Sequence, residues 1–485
     1  RAGGGRRAAD ARSPAHGPAA TLTPHVRPPF RPGDELELAI DTLAFGGRGV
    51  ARHDGVVVFV AGGLPGDRVR ARVVKVKQRH GEAVRVETLS FGPDHVEAPC
   101  PHFGTCGGCR WQDLAYERQL EHKQAQIGDA LQRIGGLTDY ELQEIVPAVK
   151  QFGYRNKLEY TWTRTPDGPA PGFHEAGRWD AVLALETCLL AGPNGNAVRE
   201  AFRDWARAQE LEAYQQSDGL GYLRHLVVRE GIRTGEVLCI LVTSPGEYPD
   251  FEALEQLVAE RCPAVVGVLH AINEGSADST QGLPARVVFG RGWFEEELLG
   301  LRLRVSAGSF MQTNTEMTDL LYTEAVRRAA LTGREVVWDL YSGLGSIALA
   351  LAGGAARVIG VEIVEEAVER ARENALLNGV ANAEFVVGDA AKAIRPLLEE
   401  GLPRPDVVVV DPPRAGLTPR AVRRVVELYP KRLVYVSCNP TTLAGNGKLL
   451  DEAGYNLTSV RPFDLFPHTP HVECVATFER GESPA

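Results

Sequence analysis

The sequence lacks long hydrophobic runs. No stretch of its 485 residues approaches the roughly 20 consecutive apolar residues that a membrane-spanning helix requires, so the sequence predicts a protein that does not span a membrane. Hydrophobic residues make up 44% of the chain and charged residues 24%, as in an ordinary globular protein. A single hydrophobic core stops growing at about 250–300 residues, so we expect two or three domains.

Cysteine is also scarce. Eight cysteines in a chain of this length are too few for a disulfide scaffold, and no secretory signal pattern is visible in the sequence. These two observations predict a reducing, cytoplasmic environment, in which we expect the protein to be a monomer.

A net positive charge is missing as well, because the formal net charge is −10. This value argues against a protein that coats nucleic acid with its whole surface, but phosphate contact requires only a local basic face. Basic residues recur mostly at two-residue spacing along one expected strand, which places many of them on one face: Arg68, Arg70, Arg72, Lys75, Lys77 and Arg79. That face is either a solvated strand surface or a surface that follows the phosphates of a nucleic acid.

Composition and periodicity divide the chain into four segments. Residues 1–32 are rich in Arg, Ala, Gly and Pro and are expected to form a disordered basic arm, with an organellar transit peptide as the alternative. Residues 33–90 contain short alternating strands with glycine turns, which predicts a small β-barrel. Residues 91–308 mix helical and strand patterns and are expected to form an α+β central domain. In residues 309–485 strands alternate with helices, which predicts an α/β domain with a parallel sheet.

Such a sheet binds ligands at the carboxyl ends of its strands, where this sequence carries glycine and acidic residues. Gly343 and Gly345 follow the first strand and permit close approach of the backbone to a ligand. Glu362 ends the next strand and suits ribose hydroxyls, Asp389 ends the third and suits an adenine edge, and Asp411 ends the fourth. The pattern predicts an adenosine-type ligand, while the glycine spacing favours methyl transfer over hydride transfer only weakly.

Cys438 directly follows a further strand and precedes an Asn-Pro pair at which a helix is expected to begin. We expect this setting to expose the thiol and to lower its pKa, with a buried structural cysteine as the alternative. A thiolate that adds to C6 of a pyrimidine turns C5 into a nucleophile, and a base must afterwards remove the C5 proton. Glu473, in the last expected strand, is the candidate base.

Three cysteines, Cys100, Cys106 and Cys109, lie within ten residues together with glycines that permit tight folding. An iron-sulfur cube or a structural zinc ion needs four thiolates, and Cys188 is the nearest further candidate. The spacing of five and then two residues between the thiols differs from the three-then-two spacing of radical S-adenosylmethionine enzymes. Radical chemistry is therefore not expected.

The complete set of motifs resembles the RNA uridine-5-methyltransferase family, which includes bacterial ribosomal and transfer RNA 5-methyluridine enzymes. The resemblance extends from about residue 33 to residue 480. It depends on the following segments: YRNK at 154–157, LRH at 223–225, SFMQTN at 309–314, DPPR at 411–414, SCNP at 437–440 and FPHTPHVE at 466–473.

The resemblance implies a class I, Rossmann-like methyltransferase domain at 309–485 and an OB-like TRAM barrel that binds RNA at 33–90. It gives Cys438 the role of nucleophile and Glu473 that of proton acceptor. The implied substrate is RNA, with 23S ribosomal RNA expected before transfer RNA. The residues implied to bind S-adenosylmethionine are Gln312, Tyr341, Glu362, Asp389 and Asp411. The implied ligands of a 4Fe-4S cluster in the central domain are Cys100, Cys106, Cys109 and Cys188.

Two other interpretations of the same residues remain open. An RNA cytosine-5-methyltransferase uses the same thiolate chemistry, but such enzymes typically carry two working cysteines, and here only Cys438 lies at a suitable strand end. The second is a catalytically idle RNA-binding iron-sulfur protein, against which the intact pair of Cys438 and Glu473 argues.

Overall fold

The structure is a computed structural model that describes residues 28–277, 279–280 and 282–481. The predicted arm at residues 1–32 lies outside the described residues except for residues 28–32. The described chain forms two compact units, one of residues 28–42 with Gly49–Phe91 and the other of Leu43–Arg48 with residues 92–481.

The first unit is the expected small barrel. Its core is built from the inward-facing residues of each strand, and in the third strand valines at every second position are buried. Phe30, which falls within the predicted arm, is 3% exposed and belongs to this core. The strands close in the spatial order β1-β2-β3-β5-β4. They are β1 (Glu35–Leu43), β2 (Gly49–His53), β3 (Val56–Ala61), β4 (Arg68–Val76) and β5 (His80–Ser90).

The basic residues of β4 alternate with buried residues, as predicted, and face outward. Three of them form ion pairs with glutamates of the neighbouring strands: Arg68 with Glu37 at 3.7 Å, Arg70 with Glu87 at 2.8 Å, and Arg72 with Glu35 at 3.0 Å. These three side chains therefore have a structural role within the barrel. The described part of the chain records no ion pair for Lys75, Lys77 or Arg79, which complete the basic series.

The second unit begins with a helix that lies outside the central sheet. Helix α1 (Tyr116–Ala130) continues into a π-helical turn (Leu131–Gly135) and ends at Gly136, whose φ of 69° suits the predicted glycine end. Ile127 is fully buried in a core shared with the C-terminal domain. The following short strand, β6 (Glu141–Leu142), extends the C-terminal sheet. This part of the expected central domain thus packs against the C-terminal domain.

Seven strands form the central sheet, in the spatial order β13-β12-β11-β10-β7-β8-β9. Every residue of β10 and β11 is buried, which agrees with the apolar run of β11, whereas β10 also buries charged side chains such as Arg229 and Glu230. The strands are β7 (Lys157–Thr165), β8 (Gly168–His174), β9 (Val182–Ala184), β10 (Leu223–Glu230), β11 (Val237–Thr243), β12 (Val265–Ile272) and β13 (Ala285–Gly290). The accompanying helices are α2 (Gly195–Ala208) and α3 (Phe251–Arg261), and a hairpin of β14 (Trp293–Leu298) and β15 (Leu301–Ser306) follows.

The C-terminal domain is the expected α/β domain. Its sheet has the order β18-β17-β16-β19-β20-β22-β21-β6, with β16 to β20 parallel and β22 antiparallel to β20. The strands are β16 (Val336–Leu340), β17 (Arg357–Glu362), β18 (Ala383–Val387), β19 (Val407–Val410), β20 (Arg432–Ser437), β21 (Tyr455–Phe463) and β22 (Glu473–Arg480). The helices are α4 (Thr315–Ala329), α5 (Ser346–Ala352), α6 (Glu365–Leu377), α7 (Ala390–Glu399), α8 (Pro419–Leu428) and α9 (Pro440–Asp451). No helix within the described residues has the length and apolar character needed to cross a membrane.

Candidate active site

The connections of the C-terminal sheet change direction between β16 and β19, and the candidate cofactor residues lie at that point. β17 and β18 follow on one side of β16, whereas β19 and β20 lie on the other. A crevice forms at the carboxyl ends of such strands and is the usual ligand site of this type of sheet. Tyr341 follows β16 and Asp411 follows β19, so both flank the crevice.

The turn after β16 requires glycine. Tyr341, Gly343 and Gly345 have φ values of 69°, 53° and 91°, and Gly345 precedes the first residue of α5. A Cβ atom at Gly345 would lie 3.0 Å from Phe385 Cζ, so a larger residue would push against the side chain that packs there. The positive φ and the tight contact both select glycine at position 345.

Glu362 ends β17 and is held by two backbone amides. Gly343 N donates a hydrogen bond to Oε2 and Val364 N donates one to Oε1, both at 2.9 Å. The carboxylate therefore keeps one orientation beside the glycine turn. Its remaining lone pairs can accept hydrogen bonds from a pair of vicinal hydroxyls.

The other predicted cofactor residues lie close to this turn. Gln312, Tyr341 and Asp411 line one cavity, together with Gly343, which is bonded to Glu362. Gln312 is 7% exposed and belongs to the segment that precedes α4. Four of the five residues predicted to bind the cofactor are therefore brought together in space.

Asp389, the fifth, lies at the end of the next strand and has a structural role as well. Its Oδ1 accepts a hydrogen bond from Ala391 N at 2.8 Å and caps α7, while its Oδ2 lies 3.3 Å from Lys392 Nζ. Burial raises the pKa of Tyr341, and the charge of Asp389 is the next largest cause. Asp389 therefore lies near enough to Tyr341 for its charge to act on that hydroxyl.

Two further side chains complete the crevice, and the sequence did not assign them a role. Asp339, in β16, is 1% exposed, and neither of its carboxylate oxygens has a hydrogen-bond partner in the described part of the chain. Tyr322, on α4, donates a hydrogen bond to Asp411 Oδ2 at 3.3 Å. Asp339 could have been predicted from the sequence, because it stands near a strand end like the other acids. The helical pattern around Tyr322 does not indicate that this side chain lies in the site.

Burial opposes the ionisation of these acids. It raises the pKa of Asp411 to about 6, although the hydrogen bond from Tyr322 favours the charged form. Burial, followed by the charge of Asp411, raises the pKa of Asp339 well above its ordinary value. Both acids are therefore more costly to ionise than ordinary carboxyl groups, and a nearby positive charge would favour their ionised forms.

Cys438 and Glu473 lie at the same rim on neighbouring strands. β20 and β22 are antiparallel, with Ser437 opposite Cys474. Cys438 is the next residue after the end of β20 and Glu473 is the first residue of β22, so the two face each other. Cys438 is half-buried, whereas Glu473 is 2% exposed and its Oε2 has no hydrogen-bond partner among the described residues.

The expected lowering of the Cys438 pKa is wrong. Burial raises the pKa of this thiol to about 12, the charges of Glu473 and Asp411 add to the effect, and Arg414 opposes it. Burial and then the charge of Asp411 likewise raise the pKa of Glu473 well above its ordinary value. In the free protein both groups are therefore harder to ionise than they would be in water.

The helix that follows Cys438 does not compensate for this effect. Asn439 caps α9, and its Oδ1 accepts a hydrogen bond from Thr441 N at 3.1 Å. A first-turn amide that could favour a thiolate is thus already bonded. Burial and the two nearby carboxylates outweigh the influence of the helix terminus, which was the basis of the sequence expectation.

The four clustered cysteines line one cavity of about 1030 Å³. Cys100, Cys106 and Cys109 belong to the loop before α1, and Cys188 to the segment before α2. Burial raises the pKa of Cys106 and raises that of Cys109 to about 12, and Cys188 is the cysteine whose charge adds most to both shifts. The predicted ligand set is therefore brought together from distant parts of the chain.

The cavity that the four cysteines line also contains a basic side chain. Within residues 28–277, 279–280 and 282–481, no three His, Cys, Asp or Glu side chains have the spacing of a site for a single metal ion. Arg155 lines the same cavity, and its charge favours the thiolate forms of Cys106, Cys109 and Cys188.

The fold and the site define a class of protein: an enzyme with a class I methyltransferase sheet, an acidic crevice at its switch point and a cysteine at the adjacent strand end. A family model described as tRNA (Uracil-5-)-methyltransferase matches residues 285–481, and a TRAM domain model matches residues 29–86. An uncharacterized RNA methyltransferase of Halalkalibacterium halodurans is 37% identical over 451 residues, which cover 93% of this chain and 98% of the relative. A second, of Nitratidesulfovibrio vulgaris, is 39% identical over 463 residues, with 93% and 97% covered.

A solved structure agrees with these matches. The crystal structure of Pyrococcus abyssi tRNA (uracil-54, C5)-methyltransferase, in complex with S-adenosyl-L-homocysteine, is 30% identical with a TM-score of 0.72. The match covers 91% of this chain and 100% of that one. This chain belongs to the RNA uracil-5-methyltransferase family, and it is an enzyme that depends on S-adenosylmethionine. The predicted family and fold are confirmed, and the cytosine-5 and non-enzymatic alternatives are not supported.

Proposed function

We propose that the enzyme methylates C5 of a uridine through an intermediate in which Cys438 is covalently bonded to C6 of the base. The observation that carries this proposal is the opposition of Cys438 and Glu473 at one rim, beside the crevice that contains Asp411. A nucleophile and a base on neighbouring strands can act on adjacent ring carbons. Cys438 is the nucleophile in this proposal, and Glu473 is the proton acceptor.

The bonds of the proposed reaction balance. The Cys438 thiolate adds to C6, and the electron pair of the C5–C6 double bond moves toward C5 and the C4 carbonyl. S-adenosylmethionine would supply an electrophilic methyl group on a positively charged sulfur. As C5 forms its bond to that carbon, the bond between the methyl carbon and the sulfur would break, and S-adenosylhomocysteine would leave with the electron pair on sulfur. Glu473 then takes the C5 proton, the electrons of the C–H bond re-form the C5–C6 double bond, and the bond to Cys438 Sγ breaks.

The raised pKa values of the site fit a cationic methyl donor. Burial is the largest cause of the raised pKa of Cys438, of Glu473 and of Asp411 alike. Each of these groups ionises more readily once a positive charge lies among them. In this proposal the Cys438 thiolate therefore forms when the donor is bound, and the free enzyme keeps the thiol neutral.

The residues of the crevice fit S-adenosylmethionine. Glu362 suits the ribose hydroxyls because two amides fix its carboxylate, and the unpartnered oxygens of Asp339 suit the cationic end of the molecule. Asp339 therefore joins the set that the family resemblance implies. The proposed cofactor residues are Gln312, Asp339, Tyr341, Glu362, Asp389 and Asp411.

We propose 23S ribosomal RNA as the substrate, with transfer RNA as the second candidate. The family that the motifs resemble includes enzymes of both kinds. The similarity to the Pyrococcus abyssi enzyme, which acts on uracil-54 of tRNA, favours the second candidate. In either RNA, the target uridine must leave its stack to reach the half-buried Cys438, so an unpaired loop suits the site better than a duplex.

The target can be identified in cells that lack this protein. We expect 5-methyluridine to disappear from one or more positions of 23S ribosomal RNA, because the proposed reaction is the one that installs it there. The wild-type gene should restore the modification, and a gene that carries Cys438→Ala should not. Mass spectrometric mapping of separated ribosomal and transfer RNA measures the loss of 5-methyluridine and its restoration. Loss confined to transfer RNA would contradict the first candidate and select the second.

We propose that the cysteine site holds a 4Fe-4S cluster on Cys100, Cys106, Cys109 and Cys188. A cube needs four thiolates, and these four thiols line one cavity. Arg155 suits the negative charge that four thiolates bring to the cavity. No step of the methylation is assigned to this group, and a structural role is sufficient to explain it.

Protein purified without oxygen should be brown and should contain about four irons per chain, as a four-thiolate cube requires. Cys188→Ala should lower the iron content, because it removes one ligand. Cys262→Ala, which changes a buried cysteine outside the cavity, should leave it unchanged. Metal analysis and visible absorption provide the two readouts. Stoichiometric zinc without iron would refute the cluster.

Three further properties are part of the proposal. The division at 1–32, 33–90, 91–308 and 309–485 separates an arm, the TRAM barrel, the cysteine domain and the methyltransferase domain. A cytoplasmic location fits eight free cysteines, and we propose a monomer. Within the barrel, Lys75, Lys77 and Arg79 are the proposed phosphate contacts, because the arginines that precede them are in ion pairs.

A further inference from the structure

The loop that leads to Glu473 is held by residues far away in the chain. This β21–β22 loop comprises residues 464–472 and connects Phe463, which ends β21, to Glu473, which begins β22. Phe463 and Glu473 are paired across the two strands. The position of the proposed base therefore depends on how the loop is held at its ends and along its length.

A buried ion pair holds the start of the loop. Lys123 Nζ, on α1, lies 2.5 Å from Asp464 Oδ1, and both side chains are fully buried. Lys123 Nζ also donates a hydrogen bond to Phe466 O at 3.0 Å. Tyr116, on the same helix, donates from its hydroxyl to Asp464 Oδ2 at 2.8 Å, and that hydroxyl accepts a hydrogen bond from Ala148 N at 2.7 Å.

Further hydrogen bonds reach the backbone of the next residues. Asn314 Nδ2 donates to Leu465 O at 2.9 Å, and Tyr154 donates from its hydroxyl to Pro467 O at 3.3 Å. His468 has a φ of 64°, an uncommon conformation for a residue other than glycine. Its neighbours hold it there: Gln119 Oε1 accepts from His468 N at 2.9 Å, and the amides of Arg110 and Trp111 donate to His468 O at 2.8 and 3.1 Å.

Stability alone does not explain why an ion pair is fully buried. Apolar residues of similar volume can replace such a pair with little loss of stability, whereas the loss of one partner leaves an unpaired buried charge. Lys123 here does more than neutralise Asp464, because it binds two successive parts of the loop with directional bonds. Such bonds determine a position, which apolar packing determines less strictly.

We propose that Lys123 is a positioning residue that, through Asp464 and Phe466 O, holds Glu473 where it can take the C5 proton. This inference rests on the proposed covalent route. Removal of the C5 proton is the one step assigned to Glu473, so a displaced loop slows that step. Thiolate addition and methyl transfer depend on Cys438 and the cofactor crevice, which the loop does not form. The methylated adduct should therefore accumulate.

The test uses the full-length protein with both charges removed together, Lys123→Met with Asp464→Leu. This pairing avoids an unpaired buried charge. We expect turnover to fall about 100-fold, as a small misplacement of a catalytic group can cause. We also expect the fraction of enzyme trapped as a covalent, methylated RNA complex to rise, and the affinity for S-adenosylhomocysteine to stay within about twofold of wild type. Lys431→Met, which breaks an exposed ion pair with Asp406 in the same domain, should change none of these quantities.

A milder variant guards against failure of the double variant to fold. Tyr116→Phe removes one hydrogen bond to Asp464 and keeps the ion pair, and it should shift turnover and trapped adduct in the same directions by a smaller factor. The inference would be overturned if turnover and the amount of trapped adduct were unchanged in both variants. It would also be overturned if turnover and trapped adduct fell in parallel.

The Glu473→Gln variant separates this inference from the proposed function. Adduct in Glu473→Gln without adduct in the double variant would overturn the role of Lys123 alone. No adduct in Glu473→Gln would overturn the covalent route and the positioning role with it.

Discussion

Cys438→Ala should abolish methyl transfer while the enzyme still binds RNA and its cofactor. Without the thiolate, C6 receives no nucleophile and C5 gains no electron density with which to attack a methyl group. We expect the rate to fall by about 10⁴-fold or more, as for other enzymes that lose a covalent nucleophile. Transfer of a labelled methyl group to RNA measures the loss, and binding assays with both substrates separate it from a loss of affinity.

The neighbouring thiol offers a matched control for this variant. Cys474 is fully buried on β22, opposite Ser437, and is not assigned a role in the reaction. Cys474→Ala should keep methyl transfer near the wild-type rate. Full turnover by Cys438→Ala would contradict the account of the whole site, because the neighbouring thiol of Cys474 is fully buried.

Glu473→Gln should stall the reaction after the methyl group has been transferred. The amide cannot accept the C5 proton, so the bond between Cys438 and C6 cannot break by elimination. Addition of the thiolate should not suffer, because the charge of Glu473 is, after burial, the largest cause of the raised pKa of Cys438. The substitution removes that charge and so favours the thiolate. The stalled species is a covalent protein–RNA complex that carries one new methyl group.

The complex should be visible as a slow band on denaturing gels. The same band should be absent from the variant that combines Cys438→Ala with Glu473→Gln, since the nucleophile is missing there. Steady turnover by Glu473→Gln would remove this residue from the reaction and leave Cys438 unaffected.

Much of the site could be predicted because its residues stand at strand ends. The carboxyl ends of parallel strands meet at one edge of a sheet, so Glu362, Asp389 and Asp411 could be placed together from the alternation of strands and helices alone. The same reasoning placed Cys438 at that edge. Glu473 was a candidate base from the sequence, but its place opposite Cys438 could not be predicted, because its strand is antiparallel and the pattern of β22 does not reveal its direction.

Properties that depend on contacts through space could not be predicted. The pKa of Cys438 was expected to fall from its local setting, but burial and the carboxylates of Glu473 and Asp411 raise it to about 12. The basic face of β4 was predicted correctly, yet three of its arginines pair with glutamates that belong to β1 and β5. In each case the partner comes from another strand, so the local sequence pattern does not indicate the contact.

The ion pair of Lys123 and Asp464 is the clearest example. The two residues are 341 positions apart, and for each of them a solvated charge is the normal expectation from the sequence. Only the packing of α1 against the C-terminal domain reveals that both are buried. Tyr322 is similar, since its contact with Asp411 depends on the position of α4 against β19.

Peptide mapping of the Glu473→Gln complex tests the central claim most directly. The protein is incubated with substrate RNA and S-adenosylmethionine, digested with nuclease and protease, and analysed by mass spectrometry. The account predicts that the peptide containing Cys438 carries one uridine nucleotide with one added methyl group. A modified nucleotide on any other residue, or methylated RNA released from this variant with no nucleotide on Cys438, would contradict it.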